Sequence, residues 1–222
     1  MIKGVIFDAD GTLLDSMPIW HDVSRRYLAR RGIDAPDSLV NEVFTMTLEE
    51  GCRYIKRLYG LPDDVGDMIG AITDEIRDFY YHEAPLKEGA REIIQTLHAH
   101  DIPIVIATAG LRETHTKALE RLGIIDCFDG IFICSELGTS KCEPLIYEHA
   151  ARYMNLHPDE TLVLEDAAYA VRTAKSAGFH VIGVADAEQS EYDRAEIISM
   201  ADMFVTDLFC AVRYITGNGG EL

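Results

Sequence analysis

The chain has 222 residues, 48% hydrophobic and 26% charged, with a formal net charge of −18 at pH 7. That length holds one medium domain, or a core with a small inserted module, and the composition is that of a soluble globular protein. So acidic a balance argues against nucleic acid or an anionic membrane as a bulk partner, and any phosphate has to be held by local groups. Five scattered cysteines (Cys52, Cys127, Cys134, Cys142, Cys210), with no C-x-x-C pair, fit reduced thiols rather than a disulfide framework or a zinc site. No apolar run reaches the length of a membrane span, and the N-terminus enters the first apolar run without room for a signal peptide, so cytoplasmic residence is expected. Monomer is the default expectation, since nothing in the composition speaks to oligomeric state.

In chain order, Ile2 and Val5-Ile6-Phe7 form a short apolar run suited to a buried strand, which stops at Asp8 and turns at Gly11. A helix follows over 18–31, with Pro18 in its first turn, Gly32 just past its end, and Val23, Tyr27 and Leu28 on one face. The stretch 37–82 is helical in pattern throughout, with candidate helices at 37–45, 47–58 and 62–81. Thr47 and Glu50 have the spacing of a capping box, and Gly60 suits a helix stop. Pro85 to Gly89 marks a return, followed by an amphipathic helix at 90–100 carrying Ile93, Ile94 and Leu97. Strands at 104–107, 130–134, 161–165, 180–184 and 203–205 then alternate with helices at 112–122, 144–154, 167–177 and 207–215. No element is assigned between 185 and 202, and the tail 217–222 is expected to fray. Such alternation predicts an α/β protein: a parallel sheet flanked by helices, with its site at the carboxyl ends of the strands. The all-helical stretch 17–83 reads as a module inserted into a core made of 1–16 and 84–222.

Four of those strand ends carry chemistry. Asp8 and Asp10, two apart, share a face if the extended geometry persists, and two carboxylates beside a glycine turn suit Mg²⁺ and phosphate; a solvated Asp10-Gly11 turn is the plainer alternative. Thr108, at the end of Val105-Ile106-Ala107, offers a hydroxyl that can hold a phosphate oxygen or merely close a turn, and the N–H groups of Ala109 and Gly110 can donate to the same anion. Lys141, in G-T-S-K-C-E-P, would offset negative charge, although most lysines before a helix are surface groups. Glu165 and Asp166, after Leu162-Val163-Leu164, are oxygen donors suited to Mg²⁺ or to the start of the next helix.

D-A-D-G-T-L-L-D-S resembles the first motif of the haloacid dehalogenase superfamily, D-x-D-G-T-L-x-D-S. The likeness extends to Thr108 as the second motif, to Lys141 with Pro144 as the lysine motif, and to E-D followed by Ala177-Gly178 as the last. Cys142 replaces a common proline, and Ala167 and Ala170 stand where serine and glycine are usual. The resemblance implies a Rossmann-like catalytic core with an inserted helical cap domain. It implies that Asp8 is the nucleophile, Asp10 the acid and base, and Thr108 and Lys141 catalytic and phosphate-binding groups. Mg²⁺ would be the cofactor, held by Asp8, the Asp10 carbonyl, Asp166 and Glu165.

The expected activity is Mg²⁺-dependent hydrolysis of a small phosphorylated metabolite through an aspartyl phosphate. Asp10 argues against the dehalogenase and phosphonate-cleaving branches. The β-phosphoglucomutase-like branch is the alternative. There the resemblance expects a cap histidine where Trp20 stands and a cap arginine near Leu48. A phosphate-sensing protein without activity is an alternative of another class. Substrate-binding candidates are Thr108, Ala109, Gly110, Arg112, Lys141, Trp20 and His21, with Met17, Phe44 and Arg53 as further cap and loop positions that could tune choice.

Overall fold

The computed structural model describes residues 2–43 and 46–215. The chain divides into two compact units, Met1–Asp15 with Ala84–Leu222, and Ser16–Glu83.

The larger unit is built on six parallel strands in the order β3-β2-β1-β4-β5-β6. They are β1 (Gly4–Phe7), β2 (Ile104–Thr108), β3 (Gly130–Ile133), β4 (Thr161–Glu165), β5 (His180–Val184) and β6 (Met203–Val205). Period-two alternation sends successive side chains to opposite faces. Val5, Phe7, Ile104, Ile106, Leu162 and Leu164 form one core with α5 (Ala90–Ala99), α6 (Arg112–Leu122) and α10 (Leu208–Ile215). Ile6, Val105, Ala107, Val163 and Val181 form the other with α7 (Leu145–Tyr153), α8 (Ala168–Ser176) and α9 (Glu191–Met200). Val5, Ile6 and Phe7 are each fully buried. At about 2 kcal/mol per side chain, such central strands stabilise a sheet whose ends carry unfavourable charge. The chain runs outward from β1 to β2 and β3, then crosses back to β4 beside β1. That reversal leaves a crevice at the carboxyl ends of β1, β2 and β4, where ligands of open parallel sheets bind.

The smaller unit holds α1 (Met17–Ala29), α2 (Ser38–Val43), α3 (Leu48–Tyr59) and α4 (Val65–His82). Ile19, Val23, Tyr27 and Leu28 are the buried face of α1, which packs on α4. Thr47 and Glu50 form the capping box at the start of α3, and Gly60 ends that helix with φ +63°. Trp20 and Leu48 line an apolar cavity of about 210 Å³ within this unit, with Val23, Ile55 and Ile72.

Most expected elements fall within a residue or two of their observed ends, apart from α4, which starts at Val65 rather than at 62. The end of the helix read over 37–45, the candidate Phe44 and the tail 217–222 lie outside the described residues. α9 has no counterpart among the expected elements; its Ser190 hydroxyl accepts from the Asp193 N–H at 3.0 Å. It buries only Ile197, so it has no apolar stripe for periodicity to detect. The strand before the first motif ends at Phe7, and Asp10 is placed by a turn in which the Leu13 and Leu14 N–H groups both donate to the Ala9 carbonyl. Strand periodicity therefore does not govern where Asp10 lies. Among the described residues, no helix is long and apolar enough to cross a membrane.

Candidate active site

The carboxyl ends of β1 and β4 bring three acids and a lysine together. Asp8 follows β1, Glu165 ends β4, Asp166 follows it, and Lys141 comes from the loop before α7. All four are buried, Glu165 completely. The Lys141 ammonium donates to Asp8 Oδ1 and, at 2.6 Å, to Glu165 Oε1. Tyr147, on the buried face of α7, donates its hydroxyl to the same Glu165 oxygen at 3.0 Å. The second Glu165 oxygen accepts from the Asp166 N–H at 3.0 Å. Glu165 is thus held from three directions.

Asp166 is fixed in turn. Thr12 donates to its Oδ1 at 3.4 Å, and the Gln189 side-chain amide donates to its carbonyl at 2.6 Å. Gly11 makes the approach possible. It takes a φ of +75°, and a Cβ there would lie 2.3 Å from Asp166 Oδ2. A side chain at this position would push Asp166 out of the cluster.

Electrostatically the cluster is short of positive charge. Burial, followed by the charge of Glu165, pushes the Asp8 carboxyl up to about 7 against the pull of Lys141. Burial and the charges of Asp8 and Glu165 likewise hold Asp166 well above the usual carboxylate range. For Lys141, burial opposes the charge but Asp8 and Glu165 outweigh it, so the ammonium sits well above its ordinary value. One ammonium therefore faces three carboxyl groups. Asp8, Glu165 and Asp166 each offer an oxygen within 4.8 Å of the others, a hard, all-oxygen set that fits a divalent cation such as Mg²⁺.

Thr108, 1% exposed at the end of β2, accepts from the Gly110 N–H at 3.0 Å through its hydroxyl. Asp10 contacts His115 of α6, whose Nε2 lies 2.8 Å from Asp10 Oδ2. Burial lowers the tendency of His115 to protonate, but the charge of Asp10 and the hydrogen bond to it raise it beyond the ordinary histidine value. Neither His115 nor Tyr147 was expected from the sequence; each lies on a helix face, and only tertiary packing shows what it touches. A polar residue on the buried side of a helix's first turn was the available signal for His115.

Arg112 is engaged elsewhere. It donates to both carboxylate oxygens of Glu136, at 2.7 and 2.6 Å, and to the Ile131 carbonyl at 2.9 Å. Trp20 and His21 lie on α1 of the helical unit, with Trp20 46% exposed.

A parallel α/β sheet with an acid–lysine cluster at its chain reversal defines a class of hydrolytic and phosphoryl-transfer proteins. The chain belongs to the haloacid dehalogenase-like hydrolases, whose family model matches residues 2–178. It is 26% identical over 216 residues to validoxylamine A 7'-phosphate phosphatase of Streptomyces hygroscopicus subsp. limoneus, covering 94% of this chain and 95% of that one. It is 24% identical over 181 residues to a phosphorylated carbohydrates phosphatase of Thermotoga maritima, covering 82% and 84% of the two chains. Among solved structures, a putative β-phosphoglucomutase of Thermotoga maritima shares the fold, with a TM-score of 0.86 at 22% identity over 98% of this chain and 100% of that one.

Proposed function

We propose that this chain is a Mg²⁺-dependent phosphatase that hydrolyses a small phosphorylated metabolite through an aspartyl phosphate on Asp8. The observation that carries the reading is the buried quartet in which Lys141 bridges Asp8 and Glu165 with Asp166 alongside. So many desolvated carboxyl groups are unfavourable for folding alone and serve a site that handles phosphate and a cation. Both relatives above are named phosphatases, one of them for phosphorylated carbohydrates, which makes sugar and polyol phosphates the first substrates to screen.

In this mechanism Asp8 attacks phosphorus, and Lys141 stabilises charge on the attacking carboxylate and the transferring group. Asp10 gives its proton to the departing alcohol, then takes one from the water that cleaves the aspartyl phosphate. Thr108 and the Ala109 N–H hold the phosphoryl oxygens; the Gly110 N–H, which donates to Thr108 Oγ1 at 3.0 Å, has to leave that partner to join them. Asp8, the Asp10 carbonyl and Asp166 would hold the Mg²⁺, with Glu165 beside them; the ion, when bound, supplies a counter-charge for the phosphate and for Asp8. Residues 17–83 act as the cap, with Trp20 and His21 as candidate substrate contacts. A substrate role for Arg112 requires it to leave Glu136.

Hydrolysis is favoured over mutase chemistry because Trp20 and Leu48 occupy the positions where the mutase branch is expected to carry its histidine and arginine. The test is phosphate release from p-nitrophenyl phosphate with and without Mg²⁺, with Asp8→Asn as control. Mg²⁺-dependent release that Asp8→Asn abolishes supports the reading. Release unchanged in that variant refutes Asp8 as nucleophile.

A further inference from the structure

His115 stands in the first turn of α6 and is 1% exposed. Its ring is anchored at both nitrogens. Nδ1 lies 2.8 Å from the Leu111 carbonyl, an acceptor only, so Nδ1 carries a hydrogen. Nε2 lies 2.8 Å from Asp10 Oδ2, across 105 residues of sequence. Space for the ring comes from Gly110: a Cβ there would lie 2.0 Å from His115 Cε1 and 2.9 Å from Nε2. The same glycine donates its N–H to Thr108 Oγ1 at 3.0 Å. One short loop thus ties the phosphate-binding threonine to the ring that grips Asp10. Burying an imidazole against a carboxylate is costly unless the pair is held in one geometry.

We infer that His115 is a positioning residue, which clamps Oδ2 of Asp10 so that its carboxyl group is aligned to exchange a proton with the ester oxygen, and that Gly110 is required to admit it. The inference rests on the phosphatase reading, with Asp10 as proton donor. As Asp8 forms its bond to phosphorus, the bond from phosphorus to the ester oxygen breaks and its electron pair goes to that oxygen. The oxygen takes the proton that Asp10 carries on Oδ1, and Asp10 is left a carboxylate still held at Oδ2 by His115. With Oδ2 clamped, this transfer falls to Oδ1.

The test compares two esters of similar shape, benzyl phosphate and p-nitrophenyl phosphate. Benzyl alcohol is a poor leaving group that needs its proton, whereas p-nitrophenolate departs without one. Because kcat/KM reports the steps up to departure of the alcohol, it isolates the donor role of Asp10 from the later water attack. In His115→Phe the ratio of kcat/KM for benzyl over p-nitrophenyl phosphate is expected to fall by about 10- to 100-fold. His115→Gln, which keeps a donor near the Nε2 position, is expected to restore most of it. Gly110→Ala keeps the histidine but removes its space, so the ratio should fall there too; it carries the test if His115→Phe does not fold. Equal losses on both esters in all three variants, or no loss, overturn the inference while leaving the phosphatase reading standing. A wild type that releases phosphate from neither ester overturns both.

Discussion

Removing the charge of Asp8 separates what the group does for chemistry from what it does to stability. On the proposed mechanism, in which Asp8 is the nucleophile, Asp8→Asn is expected to lower turnover by at least about a thousandfold. The same change should stabilise the metal-free fold. The folded carboxyl, at about 7, lies above its ordinary 3.8, so it favours the folded state fully below 3.8 and loses that benefit as pH rises through 7. Asparagine carries no such dependence. Melting curves in chelator should therefore show Asp8→Asn above wild type at pH 8, by roughly 2–4 °C per kcal/mol of relieved repulsion, with the gap closing towards pH 4. A wild type that melts higher at pH 8 contradicts this account. At this scale the sequence was most readable where a polar side chain ends an apolar strand, as at Asp8, Thr108 and Glu165. It was mute about His115 and Tyr147, because a helix-face residue declares its partner only when distant segments pack.

Two helix and strand termini show how single side chains hold whole elements. Thr47 accepts from the Glu50 N–H while Glu50 accepts from the Thr47 N–H, at 3.3 and 2.9 Å. Thr47→Ala should cost about 1 kcal/mol through α3, read as a lower melting temperature by circular dichroism, with Thr47→Ser close to wild type. Asp202, just before β6, accepts from the N–H of Val181, the second residue of β5, and from Lys175 at the end of α8, both at 2.7 Å. Burial works against its charge, but these two donors hold its carboxyl below the ordinary value. Its stabilisation is thus present above 3.8 and lost as pH falls through the folded value. Asp202→Asn should cost roughly 1–2 kcal/mol at pH 7, and denaturant titrations should show that gap narrowing as pH is taken below 3.8. Strands and amphipathic helices were legible because their burial has a period. α9 was not, since one buried side chain in ten residues carries no period at all.

For the molecule as a whole, a cation that binds only the folded cluster shifts the unfolding equilibrium by mass action. With free Mg²⁺ at about a hundred times its dissociation constant, the fold should gain roughly 2.7 kcal/mol. That corresponds to a rise of about 5–10 °C for a chain of this size. Sodium at matched ionic strength should not reproduce it, which matters for a protein of net charge −18. Asp166→Asn should abolish most of the rise; calorimetry on both proteins decides the matter, and an equal shift in the variant would place the cation elsewhere.

The chain order of the sheet also bears on synthesis. β1 pairs with β2 and β4, so its residues wait for Ile104 and then Thr161 to be made before either neighbour exists. Residues 16–83, by contrast, are contiguous, with α1 meeting α2 and α4, and α3 meeting α4. They can close on themselves as soon as they leave the ribosome. Until its neighbours are made, the nascent chain carries an unpaired apolar segment, Gly4–Phe7, ahead of that contiguous unit, and this segment is the point a holding chaperone would have to shield.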